Sequence, residues 1–180
     1  MGAVNMTPIK AIFFDLGDTL IREYHKGEPA PSEPMVFPNV KEVIQRLSDR
    51  FILAIISNTV TAGTQRLREL LKLASLDSYF TLVLASAEEG IAKPKPEIFY
   101  RALTRLGLSN QEVLMIGNRI SRDILGGNRA GICSILVWHQ GIDHHPDDKI
   151  ARTNDERPKA TVYSFLELEQ IVLQIVEKTV

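Results

Sequence analysis

AIFFDLGDTL, residues 11–20, is the stretch on which the fold turns. Four apolar residues run into Asp15, and Gly17, Asp18 and Thr19 follow at once. A short apolar run closed by turn residues reads as a buried strand. An acid at the carboxyl end of such a strand stands where open α/β sheets place their active sites. The competing reading is an aspartate that only caps the turn.

Three further runs repeat the pattern. FILAII, residues 51–56, ends in Ser57 and Asn58. Residues 82–85 precede the phrase Ser86-Ala87-Glu88-Glu89-Gly90 and then Lys93-Pro94. Residues 113–116 precede Gly117, Asn118 and Asp123. Each run is succeeded by a polar group able to handle phosphate or metal. Between the runs the apolar spacing turns helical: Val40, Val43, Ile44 and Leu47 share one face, with Asn39 as the expected N-cap. Residues 64–73, 97–106 and 121–130 follow as amphipathic helices. A fifth strand is expected over 134–138 and an edge strand over 161–163. Ser164 and Glu167 carry a capping-box spacing that opens a last helix. Strands alternating with helices argue for βαβ units and a parallel sheet. Residues 22–34 and 139–158 are polar and read as loops.

The 180 residues suit one domain with a sizeable core. A hydrophobic content of 44% leaves room for a homo-oligomer interface without requiring one. A net charge of -1 gives no global basic footprint for nucleic acid or an anionic membrane. The lone Cys133 suits a reducing, cytoplasmic setting and reads as a buried structural thiol. No apolar run approaches the roughly 20 residues of a membrane span. The opening MGAVNMTPIK lacks the apolar core of a signal peptide.

Taken in order, the acid, the hydroxyl, the lysine and the acidic loop resemble the four motifs of the haloacid dehalogenase-like (HAD) hydrolase superfamily, over residues 9–137. The resemblance implies a three-layer, Rossmann-like α/β fold with a parallel sheet in the order five-four-one-two-three, as a single domain over residues 1–180. Only one polar loop separates Thr19 from Phe37, and only a helix and a strand fit between Ser57 and Lys93. No separate cap domain is therefore expected, since a helical cap needs several helices of roughly 10–14 residues.

The function implied is a Mg²⁺-dependent phosphatase acting on a small phosphorylated substrate through an aspartyl-phosphate. Asp15 would be the nucleophile, with Ser57 and Lys93 completing the catalytic set. An ionised carboxylate can attack phosphorus, and a hydroxyl, a lysine and a cation offset the negative phosphoryl oxygens. Mg²⁺ prefers oxygen ligands, here Asp15, the Gly17 carbonyl, Asn118 and Asp123. Asp123 either ligates directly or anchors Lys93. Asn58, Thr19 and Arg22 are the candidate substrate contacts; Asn58 either touches phosphate or orients its loop. Arg22, His25 and Lys26 lie on a loop that can lean over the site, and Arg119 and Arg122 flank the fourth motif.

Two positions depart from the family pattern. Gly17 stands where a second aspartate usually serves as general acid and base, and Asn118 stands where an aspartate is usual. Lacking that acid, turnover should depend steeply on leaving-group acidity. The alternatives are a catalytically weak domain that binds a phosphorylated ligand or protein partner, and, third, a carbon–halogen hydrolase. His144-His145 with Asp147-Asp148 looks like ligand material, but adjacent histidines point apart, so no metal site is expected there.

Overall fold

The computed structural model describes residues 7–24, 32–141 and 144–177. Its first strand, β1 (Ala11–Phe14), is fully buried along its length. The helix α1 (Val40–Ser48) leads to β2 (Ile52–Ser57), and α2 (Thr64–Leu73) leads to β3 (Phe80–Ala85). A one-turn helix, α3 (Ser86–Glu89), and α4 (Pro96–Leu106) precede β4 (Val113–Gly117). A wide π-helical turn, Ile120–Ile124, runs into α5 (Leu125–Arg129). Strand β5 (Cys133–Val137), edge strand β6 (Ala160–Val162) and α6 (Phe165–Glu177) complete the fold.

All six strands are parallel, in the order β3-β2-β1-β4-β5-β6. The expected five-stranded order is present, with β6 added at the edge. Because successive side chains of a strand face opposite ways, β1 feeds two cores. Ile12 and Phe14 pack with α1, α2 and α6 on one face, while Ala11 and Phe13 pack with α4 on the other. That is the three-layer arrangement. A sheet covered on both faces explains why its strands read as unbroken apolar runs rather than alternating ones.

Helix starts differ in detail from expectation. Asn39 does precede α1, but it sits in the left-handed region at φ 61° and its side chain makes no capping bond. Ser164 Oγ accepts the Glu167 amide at 3.2 Å as expected, whereas the Glu167 carboxylate reaches back to the Tyr163 amide at 2.8 Å. The expected helix over 121–130 is split. Its first turn is widened, with the Ile124 amide bonding the Arg119 carbonyl. Such π turns often mark functional sites.

Residues 139–158 are the larger correction. They contain two 3₁₀ turns, Pro146–Lys149 and Asn154–Glu156, and they bury His139 and Lys149. His139 stacks flat on Phe37 with ring centroids 3.7 Å apart, and its Nε2 bonds the Thr19 carbonyl at 3.0 Å. Most of its described residues face solvent as expected, but His139 and Lys149 anchor it to the first and fourth motifs. The expected contacts from His25 and Lys26 fall outside the described residues.

Candidate active site

Parallel strands bring all their carboxyl ends to one edge. Asp15 follows β1, Ser57 closes β2, Ser86 follows β3 and Gly117 closes β4. Strand order reverses beside β1, so Asp15 stands at the crevice that such sheets use for ligands. The Asp15 amide donates to the Ile116 carbonyl at 2.9 Å, which fixes its backbone beyond the last ladder pair.

Lys93 closes the centre. Its Nζ lies 2.7 Å from Asp15 Oδ1, 2.6 Å from Asp123 Oδ1 and 2.6 Å from the Ile56 carbonyl. An ammonium has three donors, and these acceptors use all of them. Burial works against the charge on Lys93, but the carboxylates of Asp123 and Asp15 outweigh it and hold the group above the ordinary lysine value. Asp123 is shifted upward as well. Burial raises its carboxyl to about 6; Lys93 draws it down and Asp15 pushes it up. Asp123 Oδ2 also accepts the Arg119 amide at 3.0 Å. A β-carbon on Gly117 would come within 2.3 Å of Asp123 Cγ, so only glycine lets that carboxylate tuck under the strand end.

The partners of the other predicted residues are equally specific. Asn58 donates from Nδ2 to the Lys93 carbonyl at 2.8 Å and accepts the Lys93 amide on Oδ1 at 2.9 Å. Both ends of its amide thus hold the lysine loop, the second of its two open roles. Thr19 is fully buried and donates its hydroxyl to Asp15 Oδ2 at 3.1 Å, so it orients the acid from behind. Arg22 stacks on the Tyr24 ring, 5.2 Å from its centroid, along the wall of an adjoining groove. Asp15, Gly17, Ser57, Asn58, Lys93, Asn118 and Asp123 all line one cleft, joined by Glu23, Arg122 and His145. Thr19 and Arg22 stand outside that lining.

The loop after β5 supplies Lys149, which sequence reasoning did not name, and gives partners within the protein to the His144, His145 and Asp148 that such reasoning set aside as metal ligands. The Lys149 ammonium is buried and bonds the Asn118 carbonyl. Asp148 takes the Ser121 hydroxyl and amide at 2.6 and 2.8 Å and Arg119 Nε at 2.9 Å. Burial would raise the Asp148 carboxyl, but the Ser121 and Arg119 bonds hold it below its ordinary value. His144 Nδ1 lies 2.8 Å from Asp18 Oδ2, and Arg119 Nη1 lies 3.2 Å from His145 Nε2. These contacts span 26 to 126 residues of chain, so no local pattern announces them.

The donor set fits a hard divalent cation. Asn118 is 1% exposed, and neither its Oδ1 nor its Nδ2 has a hydrogen-bond partner among the described residues. A buried amide left so is costly unless a ligand engages it. Its oxygen, the Asp15 carboxylate and the Gly17 carbonyl offer the oxygen ligands that Mg²⁺ takes. Asp123, engaged by Lys93 and the Arg119 amide, anchors the lysine.

Comparison with known proteins places this geometry in a family. The sequence signature described as haloacid dehalogenase-like hydrolase matches residues 28–131, a span that holds Ser57, Lys93, Asn118 and Asp123. A glyceraldehyde 3-phosphate phosphatase of Methanopyrus kandleri is 29% identical over 141 residues, covering 76% of this chain and 58% of that protein. Pyrophosphatase PpaX of Halalkalibacterium halodurans is 32% identical over 125 residues, covering 68% and 56%. The chain thus spans little more than half the length of these relatives. The crystal structure of an uncharacterized protein from Listeria monocytogenes serotype 4b superposes with a TM-score of 0.79 at 26% identity, covering 94% of this chain and 99% of that one. With the parallel sheet, the four strand-end motifs and the matched signature agreeing, the chain belongs to the haloacid dehalogenase-like hydrolase family.

Proposed function

We propose that residues 1–180 form one catalytic domain, a Mg²⁺-dependent phosphatase that hydrolyses a phosphate monoester through an aspartyl-phosphate on Asp15. The observation that carries the reading is the buried Asp15–Lys93–Asp123 cluster at the strand edge, with the unpartnered Asn118 amide beside it. Lys93 keeps Asp15 oriented and offers positive charge where phosphoryl oxygens arrive. Ser57 supplies a hydroxyl to the same cleft, and Arg122 lines it as well. When bound, Mg²⁺ would add charge that stabilises the transferring phosphoryl group. The phosphatase names of the relatives support a small phosphorylated substrate. The groove beside the cleft, walled by Tyr24, Val60, Leu67, Leu70 and Arg22, offers a berth for the leaving group. No helix among the described residues is long and apolar enough to cross a membrane, and a cytoplasmic location suits the single cysteine.

The test is a screen of phosphorylated metabolites and an aryl phosphate, with and without Mg²⁺, using Asp15→Asn as control. Turnover should require both Mg²⁺ and Asp15. An Asp15→Asn protein as active as the parent would overturn the assignment. The second reading, a weakly catalytic domain that binds a phosphorylated ligand, draws on Gly17; binding without turnover in the same screen would favour it.

A further inference from the structure

We infer that Glu23 supplies the proton that position 17 cannot, because its carboxylate stands in the space that a side chain on Gly17 would fill. This rests on the phosphatase reading. A β-carbon placed on Gly17 would lie 2.0 Å from Glu23 Oε1, 2.4 Å from its Cδ and 2.6 Å from its Cγ. Glu23 lines the same cleft as Asp15, Ser57 and Lys93. The carboxylate missing at the second position after the nucleophile is replaced by one from six residues further on.

The chain is built to place it there. The Asp18 amide bonds the Ile21 carbonyl at 2.7 Å, closing a tight turn directly after Gly17. Ile21 then bridges both Gly17 and Val36, and the Arg22 amide bonds the Met35 carbonyl at 2.9 Å. Asp18 Oδ1 accepts the Glu23 amide at 2.9 Å, which fixes the backbone of the residue that carries the acid. Asp18 itself is 2% exposed, and its other oxygen meets His144. Asp18 is therefore a positioning residue. Glycine at 17 leaves the space that the Glu23 carboxylate occupies, and a side chain there would push that carboxylate aside.

The chemistry balances. An Asp15 carboxylate oxygen forms a bond to phosphorus as the ester P–O bond breaks. The departing oxygen keeps the electron pair and takes the proton of the Glu23 carboxylic acid, releasing an alcohol. Glu23, now a carboxylate, accepts a proton from water as the water oxygen bonds to phosphorus. The Asp15–phosphorus bond breaks, its electron pair returns to Asp15, and inorganic phosphate leaves with Glu23 protonated again.

The experiment uses the full chain with Mg²⁺ and a series of phosphate monoesters of graded leaving-group pKa, on the parent, Glu23→Gln, and the double variant Gly17→Asp/Glu23→Ala. The parent should show a shallow dependence of kcat/KM on leaving-group pKa, against the steep one that Gly17 alone implies. Glu23→Gln should lose about 10²–10⁴-fold on alkyl phosphates and far less on aryl phosphates. With an aryl phosphate it should release a burst of phenolate and accumulate a phosphoryl adduct on Asp15, detectable by mass spectrometry, since breakdown still needs the base. The double variant should recover alkyl phosphate turnover. If Glu23→Gln slows all esters equally, or leaves slope and adduct level at parent values, the inference is overturned while the phosphatase reading stands. A parent with no turnover overturns both, and a parent whose turnover survives Asp15→Asn overturns the phosphatase reading first.

Discussion

Replacing Lys93 by methionine tests the centre of the site through stability as well as activity. The side chain of Lys93 is 1% exposed, and so is that of Asp123. Methionine keeps the volume and removes the charge, so two carboxylates are left facing a thioether. Removing one partner of a buried pair costs about 3–5 kcal/mol. Part of that loss depends on pH. Asp123 sits at about 6 in the parent, above its ordinary 3.8, and loses its attracting cation in the variant. Losing that cation pushes its folded pKa further up. A raised folded pKa means that folding takes up protons, so the variant gains stability as pH falls. The parent gains in the same direction but only from about pH 6 downward. Each pH unit of that further rise is worth about 1.4 kcal/mol, so the variant's deficit is larger at pH 7 than at pH 5. Urea unfolding followed by circular dichroism at both pH values measures it. A variant as stable as the parent at pH 7, or one whose deficit grows at pH 5, would refute the buried-pair argument. Phosphatase turnover should vanish at either pH.

Two further substitutions probe the supports of the site and of the sheet. Asn58→Ala leaves the Lys93 amide and carbonyl without their side-chain partners; it should cost about 1–3 kcal/mol in urea unfolding and lower kcat more than it raises KM. Glu112 accepts the Ser109 amide at 2.7 Å and lies 2.5 Å from the Lys10 ammonium, which together hold its carboxyl down at about 2. A depressed folded pKa gives stability that is present above about pH 4.5 and lost as pH falls toward 2. Glu112→Gln should therefore lower the Tm at neutral pH, with the gap to the parent closing across that acid window.

What the sequence displays depends on how far each contact reaches. Asp15 is legible because four apolar residues and a turn surround it within ten positions. Helix α2 has the bounds its periodicity predicts, residues 64–73, since its apolar face is a local property. The π turn at residues 120–124 is not legible, because five residues are too few to separate its period from that of an α-helix. Asn58 shows its amide in the sequence but not its target, 35 residues away. Lys149 and the partner of His144 are least legible of all. The stretch that holds Lys149 and His144 carries no periodicity, and a polar segment that pairs with residues at the far end of the chain looks the same as one that faces water. Glu23 was hidden for the same reason, inside a run that reads as a loop.

The two polar segments together explain how a cleft without an inserted domain between its motifs acquires walls. Asp18 is the joint between them. One of its oxygens holds the Glu23 amide and the other meets His144, so the turn after β1 and the loop after β5 share a single carboxylate. The Asp18 backbone adopts φ 53°, a region that costs a non-glycine residue free energy and persists where surrounding contacts over-determine it. Here those contacts are the Ile21 carbonyl, the Glu23 amide and the His144 ring. The fourth motif is tied to the same loop through Lys149 on the Asn118 carbonyl and Asp148 on Arg119 and Ser121. The first and fourth motifs, which carry Asp15 and the Asn118 amide, are thus held in register by one segment that touches neither reacting atom. A substitution in that segment should move both motifs at once, which separates it from Asn58, whose bonds reach the lysine loop alone.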